Sequence, residues 1–191
     1  MTGLLTPGWR KFTLATHLAL SVGWIGAVVV YIVFVVAAMN TSDEQTLRAM
    51  WAAMDLSGRL AIVPLALGSL VTGLIISMGT KWGLIRYYWV LISLVLTLIA
   101  TLVLLEHMQT VSLISSGSET QSHSDMDHEM GSQTAGTETD RLRSGLPSEL
   151  LHSGLGLMVL IVVQVLNIYK PQGMTPYGWR KRKEPPRFPV I

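Results

Sequence analysis

The sequence predicts an all-α membrane protein: a bundle of four transmembrane helices, N-in and C-in, with a disordered outer loop between helices three and four. Three observations carry this. Half of the 191 residues are hydrophobic and only 14% are charged, against about 25% charged in soluble domains. The charges are also bunched: residues 12–42, 60–80, 87–105 and 150–169, runs of 31, 21, 19 and 20, contain no Asp, Glu, Lys or Arg. A helix needs about 20 apolar residues to cross a ~30 Å hydrocarbon core, so each run is long enough for one crossing. Finally, the bases are unevenly shared between the ends of those runs.

Span one is predicted from Phe12 to Met39, behind Arg10 and Lys11. A basic start and the small residues Ala37 and Ala38 resemble a signal peptide. The apolar region of a signal is only about 7–15 residues long, however, so an uncleaved helix is expected. Span two, Leu60 to Thr80, holds Pro64 in its first turns, where a missing N–H costs least. Span three, Tyr87 to about Met108, opens on Tyr87, Tyr88 and Trp89, aromatic residues that suit the headgroup level. Span four, Leu150 to Tyr169, is stopped by Lys170-Pro171. In domain terms, residues 1–111 carry spans one to three and 112–148 the polar loop. The fourth span occupies 149–170, and a basic cytoplasmic tail occupies 171–191.

With both termini inside, ten Lys and Arg lie on the inner side and four (Arg48, Arg59, Arg141, Arg143) on the outer side. That matches the positive-inside rule and predicts a multi-pass protein of the plasma (inner) membrane. The segment 112–148 is rich in Ser, Thr, Gly and acids, and positions 119–149 hold seven of the chain's twelve acids. Such a composition buries too little apolar surface to fold alone. The net charge of +2 comes with no basic patch interleaved with aromatics, so no nucleic-acid partner is expected. The absence of cysteine excludes disulfides and thiolate chemistry. The expected partners are the lipid bilayer and either a second membrane subunit or another copy of the chain.

Five histidines carry the specific signal. His17 sits about five residues into span one, with Trp24 seven residues later on the same helical face. An ionisable residue there suggests a role, while Thr13, Thr16 and Ser21 nearby offer an ordinary interhelical hydrogen bond instead. His107 ends span three and His152 begins span four; the antiparallel helices bring them to similar depth. Two facing imidazoles in a bundle core can hold a b-type haem, with Gly154 and Gly156 leaving room for it. The bland alternative is hydrogen bonding at the water interface. In the outer loop, His123, Met126, His128 and Met130 combine imidazoles and thioethers, a donor set that favours copper. No phosphate-binding glycine loop, metalloprotease helix or nucleophilic triad is present.

The stretch His17-Leu-Ala-Leu-Ser-Val-Gly-Trp24-Ile-Gly26 resembles the copper-resistance-D-like group of bacterial membrane proteins, which includes the haem-binding membrane protoporphyrinogen oxidase. Within that group the chain is most similar to an uncharacterised actinobacterial family of four-helix membrane proteins. The similarity takes in Ile62-Val-Pro64-Leu-Ala-Leu, Thr72-Gly73-Leu, Gly79-Thr-Lys-Trp82-Gly83-Leu, Tyr88-Trp89-Val, His152 and Tyr169-Lys-Pro171-Gln-Gly173. The resemblance implies a four-helix bundle and a haem or metal role for His17. It does not imply oxidase activity: the aromatic and basic continuation of the oxidase branch is replaced by Gly26-Ala-Val-Val-Val-Tyr31. The expectation is therefore a haem- or redox-cofactor-binding, cytochrome-like or accessory subunit. A copper-handling or transport-accessory protein, or a ligand-free assembly factor, stands as the alternative.

Overall fold

The computed structural model describes residues 6–79, 87–124, 131–169, Gly173 and Thr175. These residues form helices, and four of the helices are long and apolar enough to cross a membrane. Helix α1 is Pro7–Asn40, started by a proline whose missing N–H has no helical partner to lose. Three residues connect it to α2, Glu44–Ser57. A π-helical turn, Gly58–Ile62, then leads without a break into α3, Val63–Gly79. Helix α4 is Tyr88–Ser124 and α5 is Gly131–Tyr169.

Helices α2 and α3 continue one another as a single rod that packs between α1 and α4; α4 packs on α5, and α5 closes the ring against α1. This is the up-down-up-down arrangement that short connections favour. The bundle is longer than a bilayer is thick. The 34 residues of α1 span about 51 Å at 1.5 Å per residue, against a ~30 Å hydrocarbon core. This extension is assigned to the end carrying Thr41, where Asp43, Glu44, Arg48, Asp140 and Arg141 interrupt the apolar sequence; the opposite end carries Thr6 and Gly173.

The extension explains two departures from the sequence reading. The second helix starts at Glu44, well before Leu60, because Leu47, Trp51 and Met54 recur at helical spacing and are all buried. Asp43 caps it: Thr46 donates both its hydroxyl and its N–H (2.8 Å) to Asp43 Oδ2, and these bonds hold the carboxyl below its usual range. The second departure concerns the disorder expected for 112–148. Backbone helix continues to Ser124 and resumes at Gly131. Over 139–149 the cause is visible: Leu142, Leu146 and Glu149 fall on one face and are buried, with Gly145 against the Trp51 ring. Composition alone underrates such a segment, because the cover comes from the neighbouring helices, Trp51 of α2 among them, and not from the segment itself. Pro147 lies inside α5 at this level.

Of the tail expected over 171–191, Gly173 accepts a hydrogen bond from Tyr88 N–H at 3.3 Å and Thr175 is buried. The remainder of the tail, and the turn with Lys81 and Arg86, lie outside the described residues.

Candidate functional site

Two polar clusters interrupt the apolar interior, and they lie at different depths. The first is in the membrane half, toward the termini. His17 on α1 meets α3, where Nδ1 lies 3.0 Å from the Ser69 carbonyl oxygen and 3.1 Å from Thr72 Oγ1. A carbonyl only accepts, so Nδ1 carries the proton and donates to it. The neutral ring then offers Nε2 as an unprotonated lone pair. Nε2 makes no hydrogen bond among the described residues.

The close approach has a local cause. A Cβ at position 73 would stand 3.0 Å from His17 Cε1, so the glycine leaves the space that the imidazole fills. Ser21 bonds both the His17 carbonyl (2.8 Å) and Ser69 Oγ (2.8 Å), which ties the two helices together beside the ring.

His17 lines a cavity of about 560 Å³ bounded by α1, α3, α4 and α5. Its walls combine apolar side chains with a scattered set of polar groups, including Ser69, Ser93, Thr97, Gln164 and Asn167. Trp24, 3% exposed, lines it one level above His17, as their shared helical face predicts. Among the described lining residues Arg10 is the one cation, and there is no carboxylate. The volume lies within the ~300–1,000 Å³ typical of small-molecule and cofactor sites.

The second cluster lies where the membrane half meets the extension. Glu149 on α5 is 4% exposed. Tyr31 on α1 donates its O–H to Glu149 Oε2 at 2.7 Å, and His107 Nε2 on α4 lies 2.7 Å from the same oxygen. The His107 ring lies against that of His152, with centroids 5.0 Å apart and planes 14° from parallel. His152 is exposed, and its Nδ1 donates to the Ser148 carbonyl at 2.8 Å. Asp55 and Arg59 pair at 2.9 Å on the neighbouring second helix.

The structure thus brings His107 and His152 together and keeps His17 apart from both. The pair is nearly parallel, and His107 Nε2 is engaged by Glu149 rather than facing an open gap. For the outer-loop set, His123 falls in the backbone of α4, whereas Met126, His128 and Met130 lie outside the described residues. Sequence reasoning missed Glu149 and Tyr31. By composition Glu149 reads as one more acid of the loop, although its spacing of three from His152 puts both on one helical face; Tyr31 stands without a polar neighbour in the middle of a charge-free run. No family model, curated protein or solved structure matches the chain.

Proposed function

We propose that this chain is a haem-binding subunit of the plasma membrane, small and cytochrome-like or accessory to a larger complex, with its cofactor in the His17 cavity. The observation that carries the reading is the imidazole itself: Nδ1–H is fixed by the Ser69 carbonyl, Nε2 makes no hydrogen bond among the described residues, and the residue lines a cofactor-sized cavity. A backbone carbonyl on the distal ring nitrogen is the usual means of fixing a metal-ligating histidine in one tautomer and orientation. In such a site His17 Nε2 would be the residue atom that holds the iron, as a histidine does in many haem proteins. Gly73 keeps room for the ring, and Arg10 offers a partner for a carboxylate of the cofactor. Haem, when bound, supplies one-electron chemistry; the chain's residues bind it, orient it and exclude water. The orientation proposed with this reading is N-in and C-in, supported by the ten-to-four distribution of Lys and Arg.

The test is the absorption spectrum of protein purified from haem-replete cells. A Soret band is expected in the wild type and in His107→Ala and His152→Ala, and is expected to be absent in His17→Ala. A colourless wild type would sink the proposal, and a band lost only in the His107 and His152 variants would move the cofactor to the other cluster. A reporter fused after Ile191 is expected to read cytoplasmic.

A further inference from the structure

The cluster at the junction is not used by the haem reading, and its donors match a different ligand. Glu149 and His152 are three residues apart, which places both on one face of α5. His107 enters from the antiparallel α4, its Nε2 2.7 Å from Glu149 Oε2 and its ring centroid 5.0 Å from that of His152. Two imidazoles and one carboxylate form a donor set that suits borderline divalent ions, and in zinc sites that set leaves a fourth position open.

One of the donors already has the outer support that metal ligands need: Tyr31 O–H donates to the Glu149 carboxylate. In its present outward position His152 donates Nδ1–H to the Ser148 carbonyl. In the neutral ring His152 Nε2 is therefore the unprotonated nitrogen. Glu149 is buried while His152 is exposed, so the cluster has a dry floor and one open side.

We propose that Glu149, His107 and His152 bind one divalent transition-metal ion, of which zinc is the type. The short Glu149–His107 contact marks the place. The metal takes the Nε2 lone pair of His107 and the proton on that nitrogen leaves, to Nδ1 or to water. Among the described residues no three donors yet surround a common point; the site closes when the exposed His152 ring turns inward. The arrangement also assigns Tyr31 as a positioning residue that acts through Glu149.

Zinc binding by calorimetry, with the full-length, chelator-stripped protein in detergent, tests this independently of any haem. One Zn²⁺ per chain is expected, unchanged in His123→Ala/His128→Ala. Binding is expected to disappear in His152→Ala, an exposed position whose replacement leaves the melting temperature without zinc unchanged. Tyr31→Phe is expected to weaken it about 10–100-fold, the usual effect of losing an outer-shell partner. Absence of binding in the wild type, full binding in His152→Ala, or loss in the loop double variant would each overturn the assignment.

Discussion

Around Trp51 the bundle buries side chains as a water-soluble protein does. Val35, Leu47, Trp51, Met54, Val111, Leu142 and Leu146 are all turned inward, while Glu44, Arg48, Asp140 and Arg141 stand on the outer faces or part-way out. Around His17 the outer faces are apolar as well, and polar groups are mixed into the interior. Val22, Val71, Ile75, Ile99 and Ile161 are exposed on the outside, and the interior adds serines, threonines, Gln164 and Asn167 to apolar residues such as Trp24, Val90 and Leu160 around a cavity. The difference follows from the solvent. In water, apolar burial drives association. In lipid that drive is absent, so helices are joined by close packing and interhelical hydrogen bonds, and small or polar residues move to the inside. The junction cluster lies where the two regimes meet, which is why a carboxylate there is nearly fully buried yet one neighbour away from an exposed histidine.

The comparison is sharpest where the two halves are cut separately. Replacing Trp51 by alanine removes the largest fully buried side chain of the extension and is expected to cost about 3–5 kcal/mol, read as a lowered denaturation midpoint in detergent. The Soret band proposed for the membrane half is expected to persist in that variant under native conditions. A loss below about 1 kcal/mol would mean that the extension is not a packed core. In the membrane half, Ser21→Ala removes the hydroxyl joining α1 to α3, and about 0.6 kcal/mol is expected, the average for such bonds in lipid. A cost as large as that of Trp51→Ala would break the distinction between the halves.

The smallest effect expected is a pH dependence at Asp43. Its carboxyl titrates below its usual value because Thr46 donates to it. The ionised cap stabilises α2 above the unfolded value of about 3.9, and the contribution is lost as pH falls through the lower folded value. A shallow fall in the melting temperature of the extension below about pH 4 is expected, and it is expected to be absent in Asp43→Asn. Persistence of an identical fall in that variant would assign it to other carboxylates.

How much of this was legible depended on whether a residue's partner lay in its own run. The four crossings could be read because charge-free runs of the right length are a local property. The shared face of His17 and Trp24 could be read from a spacing of seven. Glu149 and Tyr31 could not be paired, since they are 118 residues apart and neither has a local feature that names the other. The part of α5 before Leu150 was hidden for a related reason: Leu142 and Leu146 are sparse apolar residues in a polar segment, and only the neighbouring helices, Trp51 of α2 among them, make them a core.

By itself the sequence determined that the chain is helical and has four segments able to cross a membrane, because the cost of unpaired backbone in lipid leaves few other solutions for long apolar runs. It also singled out the imidazoles as the groups worth following. The tertiary structure alone decided what each imidazole meets: the Ser69 carbonyl and the edge of a cavity at His17, and a buried carboxylate beside His107 and His152. That division has a physical origin. Solvent preference is carried residue by residue along the chain, whereas a binding site is a relation between helices, created only when packing brings their faces within hydrogen-bonding distance.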